Sequence, residues 1–171
     1  LGCPPPVLAT GARECFDDVR AAPCNNPEYP GQDAYYHLGL RPNYVDNGDD
    51  TVTDAVTGLM WQRVPAASAM TWREALLYCE AMRLAGHDDW RLPNVREALT
   101  LVRYDRFSPA ADPGAMDWWS RDFGTGYWTS TTYLFDGTDA AWIVSFGEGV
   151  VWAYKKGTQQ WVRAGRGPVS G

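Results

Sequence analysis

The segment from Thr71 to Glu97 constrains the fold most. It reads Thr71-Trp72-Arg73-Glu74-Ala75-Leu76-Leu77-Tyr78-Cys79-Glu80-Ala81-Met82, and later Asp89-Trp90-Arg91-Leu92-Pro93-Asn94-Val95-Arg96-Glu97. Thr71 and Glu74 match a Thr-x-x-Glu capping box, in which hydroxyl and carboxylate satisfy the free amides of a helix start. Trp72, Ala75, Leu76, Cys79, Met82 and Arg83 recur at the i, i+3, i+4, i+7 spacing of an amphipathic helix. Gly86 is expected to cap its C-terminus. Pro93 suits the first turn of a second helix, with Val95, Ala98, Leu99 and Val102 as its apolar face. Residues of this kind pack two helices into a core. They mark the fold and are not expected to perform the function.

Strand patterns flank this pair. Tyr44 to Trp61 reads as a hairpin, with turns at Asp46–Asp50 and Asp54–Gly58 around the alternating Thr51-Val52-Thr53. The acids of Asp46-Asn47-Gly48-Asp49-Asp50 leave room for calcium, but their spacing is not that of an EF-hand loop, and turn chemistry accounts for them. No other cofactor is expected. After a long loop, Phe107 to Phe123, the strands Tyr127–Thr132, Ala141–Phe146, Val150–Tyr154 and Trp161–Arg163 read as a meander. Strands, then two helices, then strands is an α+β order. Residues 1–42 carry no periodic pattern and read as an irregular arm ahead of a domain at 43–171.

Composition narrows the function classes. The net charge is −6, and the only lysines are Lys155 and Lys156. Nucleic acid is not an expected partner, because its binding is driven by counterion release at basic surfaces. No apolar run approaches the roughly 20 residues of a membrane helix, so membrane insertion is not expected either. The four cysteines, Cys3, Cys15, Cys24 and Cys79, form no Cys-x-x-Cys pair and have only His37 and His87 to accompany them. Zinc is therefore not expected, and two disulfides in an extracytoplasmic setting fit better. Three pairings exist. The favoured one joins Cys15 to Cys24, worth about 2.5–3 kcal/mol in the chain-entropy model, and leaves Cys3 for Cys79.

An ordered series of short motifs carries a resemblance. Thr51-Val52-Thr53-Asp54, Thr57-Gly58-Leu59-Met60-Trp61, Thr71-Trp72, Tyr78-Cys79, Asp89-Trp90-Arg91-Leu92-Pro93, Tyr127-Trp128-Thr129-Ser130-Thr131, Ala141-Trp142 and Val162-Arg163 follow one another. Over about Asn43 to Gly167 the chain resembles the Lcl C-terminal domain family, a bacterial domain of secreted and surface proteins. The resemblance implies a C-type-lectin-like fold, related to formylglycine-generating enzymes and to retroelement-diversified variable proteins. Many members carry a cysteine in the closing segment, a natural partner for the helix cysteine. Here that position is Ala164, which leaves Cys79 for Cys3 or free.

Catalysis has little to build on. Ser130 lies in no nucleophile elbow, the histidines have no nucleophile beside them, and the paired cysteines of formylglycine-generating enzymes have no counterpart after Cys79. Calcium-dependent sugar-binding strings of animal lectins are absent as well. No enzyme is expected. The chain reads as a cell-surface ligand-binding module for a glycan or protein. Its expected site lies on the last strands: Tyr133, Phe135, Trp152, Tyr154, Lys155, Gln159 and Trp161 combine rigid aromatics with polar groups. The alternatives are an assembly subunit or appendage tip, which allows a homo-oligomer, and a diversified variable protein. In the latter, Ser145, Gly147, Ala153 and Tyr154 fit codons reachable from asparagine, whereas Glu148, Trp152, Lys155, Gln159 and Gln160 do not.

Overall fold

The computed structural model describes residues 8–36, 39–112, 116–117, 126–135 and 137–167. The elements run β1 (Cys15–Phe16), β2 (Ala21–Ala22), α1 (Asp33–Tyr36), β3 (Tyr44–Asp46), β4 (Thr51–Asp54), β5 (Met60–Gln62), α2 (Trp72–Glu80), α3 (Val95–Leu99), β6 (Tyr127–Tyr133), β7 (Ala140–Ser145), β8 (Val150–Lys155) and β9 (Gly165–Arg166). They form three sheets, ordered β1-β2, β3-β4-β5-β9 and β6-β7-β8, whose strand pairings are all antiparallel. The class is mixed α and β, with few helices, as expected.

The helix α2 starts where the motif places it. The Glu74 carboxylate accepts from the Thr71 N–H at 2.8 Å and from its hydroxyl at 2.7 Å. The helix stops at Glu80 with Ala81 as its cap, short of Gly86. Gly86 (φ +76°) instead follows Ala85 (φ +54°) in the tight turn that pairs Leu84 with His87. The second helix differs too. Its N-cap is Asn94, and Pro93 precedes it. The Asn94 Oδ1 accepts from the Glu97 N–H while Glu97 accepts from the Asn94 N–H, both at 2.9 Å, a reciprocal box that the proline reading overlooked. Val102 lies beyond α3 yet is still buried.

The sheet β6-β7-β8 divides the core. On one side Tyr127 and Val144 pack with Val52, Trp61, Leu101 and Phe146. On the other, Trp128 and Ile143 pack with Ala75, Cys79, Trp90, Leu92 and Val162. Neighbouring residues of one strand thus enter opposite cores, as the period of two requires.

The closing segment does not extend this sheet, contrary to the expected strand Trp161–Arg163. Gln160 bridges to Met70 and Trp161 to Tyr127, and then β9 crosses to β5. Glycine permits that crossing: a Cβ on Gly165 would stand 3.1 Å from the Trp61 ring.

The arm is less irregular than its sequence. The Cys15–Cys24 disulfide forms, with Cα atoms 5.0 Å apart, and closes the β1-β2 hairpin. The Tyr104 N–H donates to the Thr10 carbonyl at 2.9 Å and fixes the arm to the domain. Gly11 (φ +89°) makes this approach feasible, since a Cβ there would lie 2.6 Å from Asp105 Oδ1. The expected Cys3–Cys79 bridge is corrected: Cys79 is a free thiol. It sits on the inward face of α2 with no exposure, so a bridge would require the arm inside the core. Cys3 and His37 lie outside the described residues. Ala164 is buried in the same cluster as Cys79.

Candidate functional site

Strand register separates the expected site residues. Directly opposed residues of an antiparallel pair project from the same face. Tyr133 is opposite Ala140, which is opposite Lys155, so Tyr133 and Lys155 share one face. Trp152 is opposite Ile143 and Tyr154 opposite Ala141, which puts that pair on the other. The seven residues therefore do not form one continuous patch.

The first group is an aromatic tip. Tyr133 meets Trp142 edge to face with centroids 4.8 Å apart, and Phe135 lies 6.2 Å from Tyr133. Phe135 is 89% exposed and Leu134 73%. Trp142 is half-buried and buttresses Tyr133. The second group is an edge. β8 is an outer strand of its sheet, and Trp152 stands 49% exposed on it while Tyr154, two residues on, packs onto the second core cluster. Gln159 is exposed beyond the strand.

Trp161 belongs to the framework. It packs against the first core cluster, its carbonyl accepts from the Trp128 N–H, and its own N–H donates to Gly126. Gln160 is buried, with its side-chain oxygen accepting from the Gly126 N–H at 3.0 Å.

Other polar side chains serve as clamps. Lys156 lies over the Trp72 ring at 4.1 Å and donates to Thr132 Oγ1 and the Thr138 carbonyl. Sequence reading gave no signal for this pair, which lies far apart along the chain. Arg163 is buried and donates to the carbonyls of Gln62, Arg63 and Asp117. Burial pulls its guanidinium down to about 10, against the upward influence of Tyr127 and Asp117. Arg91 and Glu97 form a two-pronged ion pair at 2.6 and 2.7 Å. Burial raises the Glu97 carboxyl, but the Arg91 pair and the Asn94 N–H outweigh it and hold it below its ordinary value.

The acidic hairpin is engaged in turn chemistry. Asp46 accepts from the Gly48 N–H, Asp49 from the Thr51 hydroxyl, and Asp54 from the N–H groups of Asn43 and Val56. Among the described residues no group of three or more His, Cys, Asp or Glu is placed to hold a metal. Burial pushes the Cys79 thiol up to about 12, with Glu80 adding to the effect, so it is not a thiolate nucleophile at neutral pH.

With this geometry in place, the ordered motifs meet a matching family model: the Lcl C-terminal domain, over residues 50–166. The chain belongs to the Lcl C-terminal domain family. No curated protein matches the chain in sequence. In this Lcl C-terminal domain the matched span begins within the β3-β4 turn and ends in β9, so it contains α2, α3, both core clusters and the aromatic tip and edge. The disulfide hairpin lies ahead of it. Among the described residues no helix is long and apolar enough to cross a membrane.

Proposed function

We propose that this Lcl C-terminal domain is a non-enzymatic, extracytoplasmic ligand-binding module of C-type-lectin-like fold, with a glycan or protein as ligand. The observation that carries the reading is the half-exposed Trp152 on an outer strand, seated against the buried Ile143. A rigid aromatic presented this way offers contact area at low entropic cost. The aromatic tip of Leu134 and Phe135, braced by Tyr133 and Trp142, supplies a second exposed apolar contact. The Cys15–Cys24 disulfide supports an oxidising location. Non-enzymatic function is supported by the buried, protonated Cys79 and by His87, which sits in the Leu84 turn.

An assembly subunit is the second reading, favoured by exposed Phe16, Val19, Tyr35 and Tyr36 on the disulfide-tied arm. A diversified surface draws less support, because two of its four codon matches, Ser145 and Gly147, are buried.

The test is a glycan array and a pull-down from the native cell surface with wild type, Trp152→Ala and Phe135→Ala. A ligand captured by wild type and lost in either folded variant is the expected result. Equal recovery of one stoichiometric protein by all three would overturn the strand site and favour assembly.

A further inference from the structure

A cleft of about 280 Å³ opens between the flank of α2, the Arg91–Asn94 segment and β6. Its apolar lining is Leu76 and Leu92, and its polar lining includes Glu80, Arg91, Asn94 and Ser130. Backbone bonds fix the walls: the Ser130 N–H donates to the Pro93 carbonyl and the Arg91 N–H to Gly165. The Val95 N–H adds a bond to Thr131 Oγ1 at 3.1 Å. The cleft is therefore bounded by hydrogen-bonded segments on two sides and by a capped helix on the third.

The polar groups here are oriented but not all engaged. The Arg91 guanidinium is held flat by its two bonds to Glu97, and these leave its Nε–H free of that pair. The Asn94 side-chain oxygen caps α3, which leaves its NH₂ as donor. Ser130 offers a half-exposed hydroxyl and Glu80 an exposed carboxylate. Planar guanidinium and amide groups and a carboxylate over an apolar floor match the alternating hydroxyls and C–H faces of a sugar ring. Arg91 is neutralised by Glu97, and Glu80 adds a negative charge, so the cleft disfavours anions and selects a neutral ring.

We infer that this cleft is a second binding site, taking a single neutral saccharide unit, on a different part of the domain from Trp152 and Phe135. The inference rests on the reading of the domain as a glycan binder, but not on the site assigned to it. A shallow site of this size that holds a ligand of about a dozen heavy atoms is expected to bind with a dissociation constant on the order of 1 mM.

The experiment is amide NMR of the full chain titrated with neutral methyl glycosides of glucose, galactose, mannose and N-acetylglucosamine. It compares wild type with Ser130→Tyr, Glu80→Ala and Trp152→Ala. The expected result is saturable shifts at the amides of Leu76, Leu92 and Ser130 with at least one glycoside. They are retained in Trp152→Ala, weakened about fivefold in Glu80→Ala and lost in Ser130→Tyr. Glu80 is an exposed helix position, so its variant keeps the test valid if Ser130→Tyr fails to fold. No saturable shift with any glycoside at 50 mM, or equal shifts in wild type and Glu80→Ala, overturns the cleft. Shifts that cluster at Trp152 and vanish in Trp152→Ala overturn it while upholding the strand site.

Discussion

Ile143 and Trp152 stand directly opposite each other on β7 and β8, and the same row continues to Trp128 on β6. Trp128 and Ile143 are fully buried, whereas Trp152 is 49% exposed. The change across one row follows from what lies beside each strand. β7 has a strand on both sides and the outer edge of β6 is bridged by Trp161, whereas β8 is an outer strand with no further strand paired to it among the described residues. Trp152 is thereby anchored on one side and open on the other.

Trp152→Ala should leave the fold intact and cost about 1–2 kcal/mol, since only part of the ring is removed from water. Phe135→Ala should cost less than about 0.5 kcal/mol, as an exposed surface change. Urea unfolding of both variants checks this. A loss above about 3 kcal/mol for Trp152→Ala would show that the ring is a core residue.

Arg163→Ala should be among the most damaging single changes, at about 3–5 kcal/mol. Its guanidinium donates to three backbone carbonyls from the β5 end and the Asp117 segment; the Arg63 carbonyl keeps the Asp117 N–H, and each carbonyl left unpaired costs about 1–3 kcal/mol. Arg163→Lys should recover little, because an ammonium cannot reproduce the planar fork. Guanidinium unfolding midpoints of the two variants give the comparison.

Cys79 gives a signed pH dependence. Its folded pKa, about 12, lies above the ordinary 9.0 because burial favours the neutral thiol. The associated stability is complete below pH 9 and is lost as pH rises from 9 towards 12, at up to about 1.4 kcal/mol per pH unit. Tyr44 and Tyr78, raised mainly by burial, act in the same direction at the upper end of the window. Denaturant unfolding at pH 8 and pH 10.5 should show a steeper loss for wild type than for Cys79→Ala. Parallel losses would remove Cys79 as a contributor.

Breaking the Cys15–Cys24 bridge should act locally. The chain-entropy value of about 2.5–3 kcal/mol belongs to a short hairpin outside both core clusters. The double variant Cys15→Ala, Cys24→Ala should speed amide exchange across residues 13–29, with α2 and β6-β7-β8 unchanged. A uniform loss of protection in the domain would show that the arm is part of its cooperative unit.

The sequence by itself determined the helix pair, most strands of the domain and the family. The Thr71–Glu74 box, the helical stripe through Ala75 and Cys79, and the alternation in Thr51–Thr53 are local signals, because hydrogen bonds and side-chain period act over a few residues. The Cys15–Cys24 closure was legible for the same reason. Tertiary structure decided which strand is outermost, which face each aromatic takes, and where the closing segment goes. Trp152 and Trp161 each stand beside a valine in sequence. One became an exposed edge and the other a framework residue, because the closing segment returns to Tyr127 and then crosses to β5. The buried Arg163, the Lys156–Trp72 contact and the free thiol of Cys79 likewise depend on partners far along the chain, whose positions exist only once the two cores have formed.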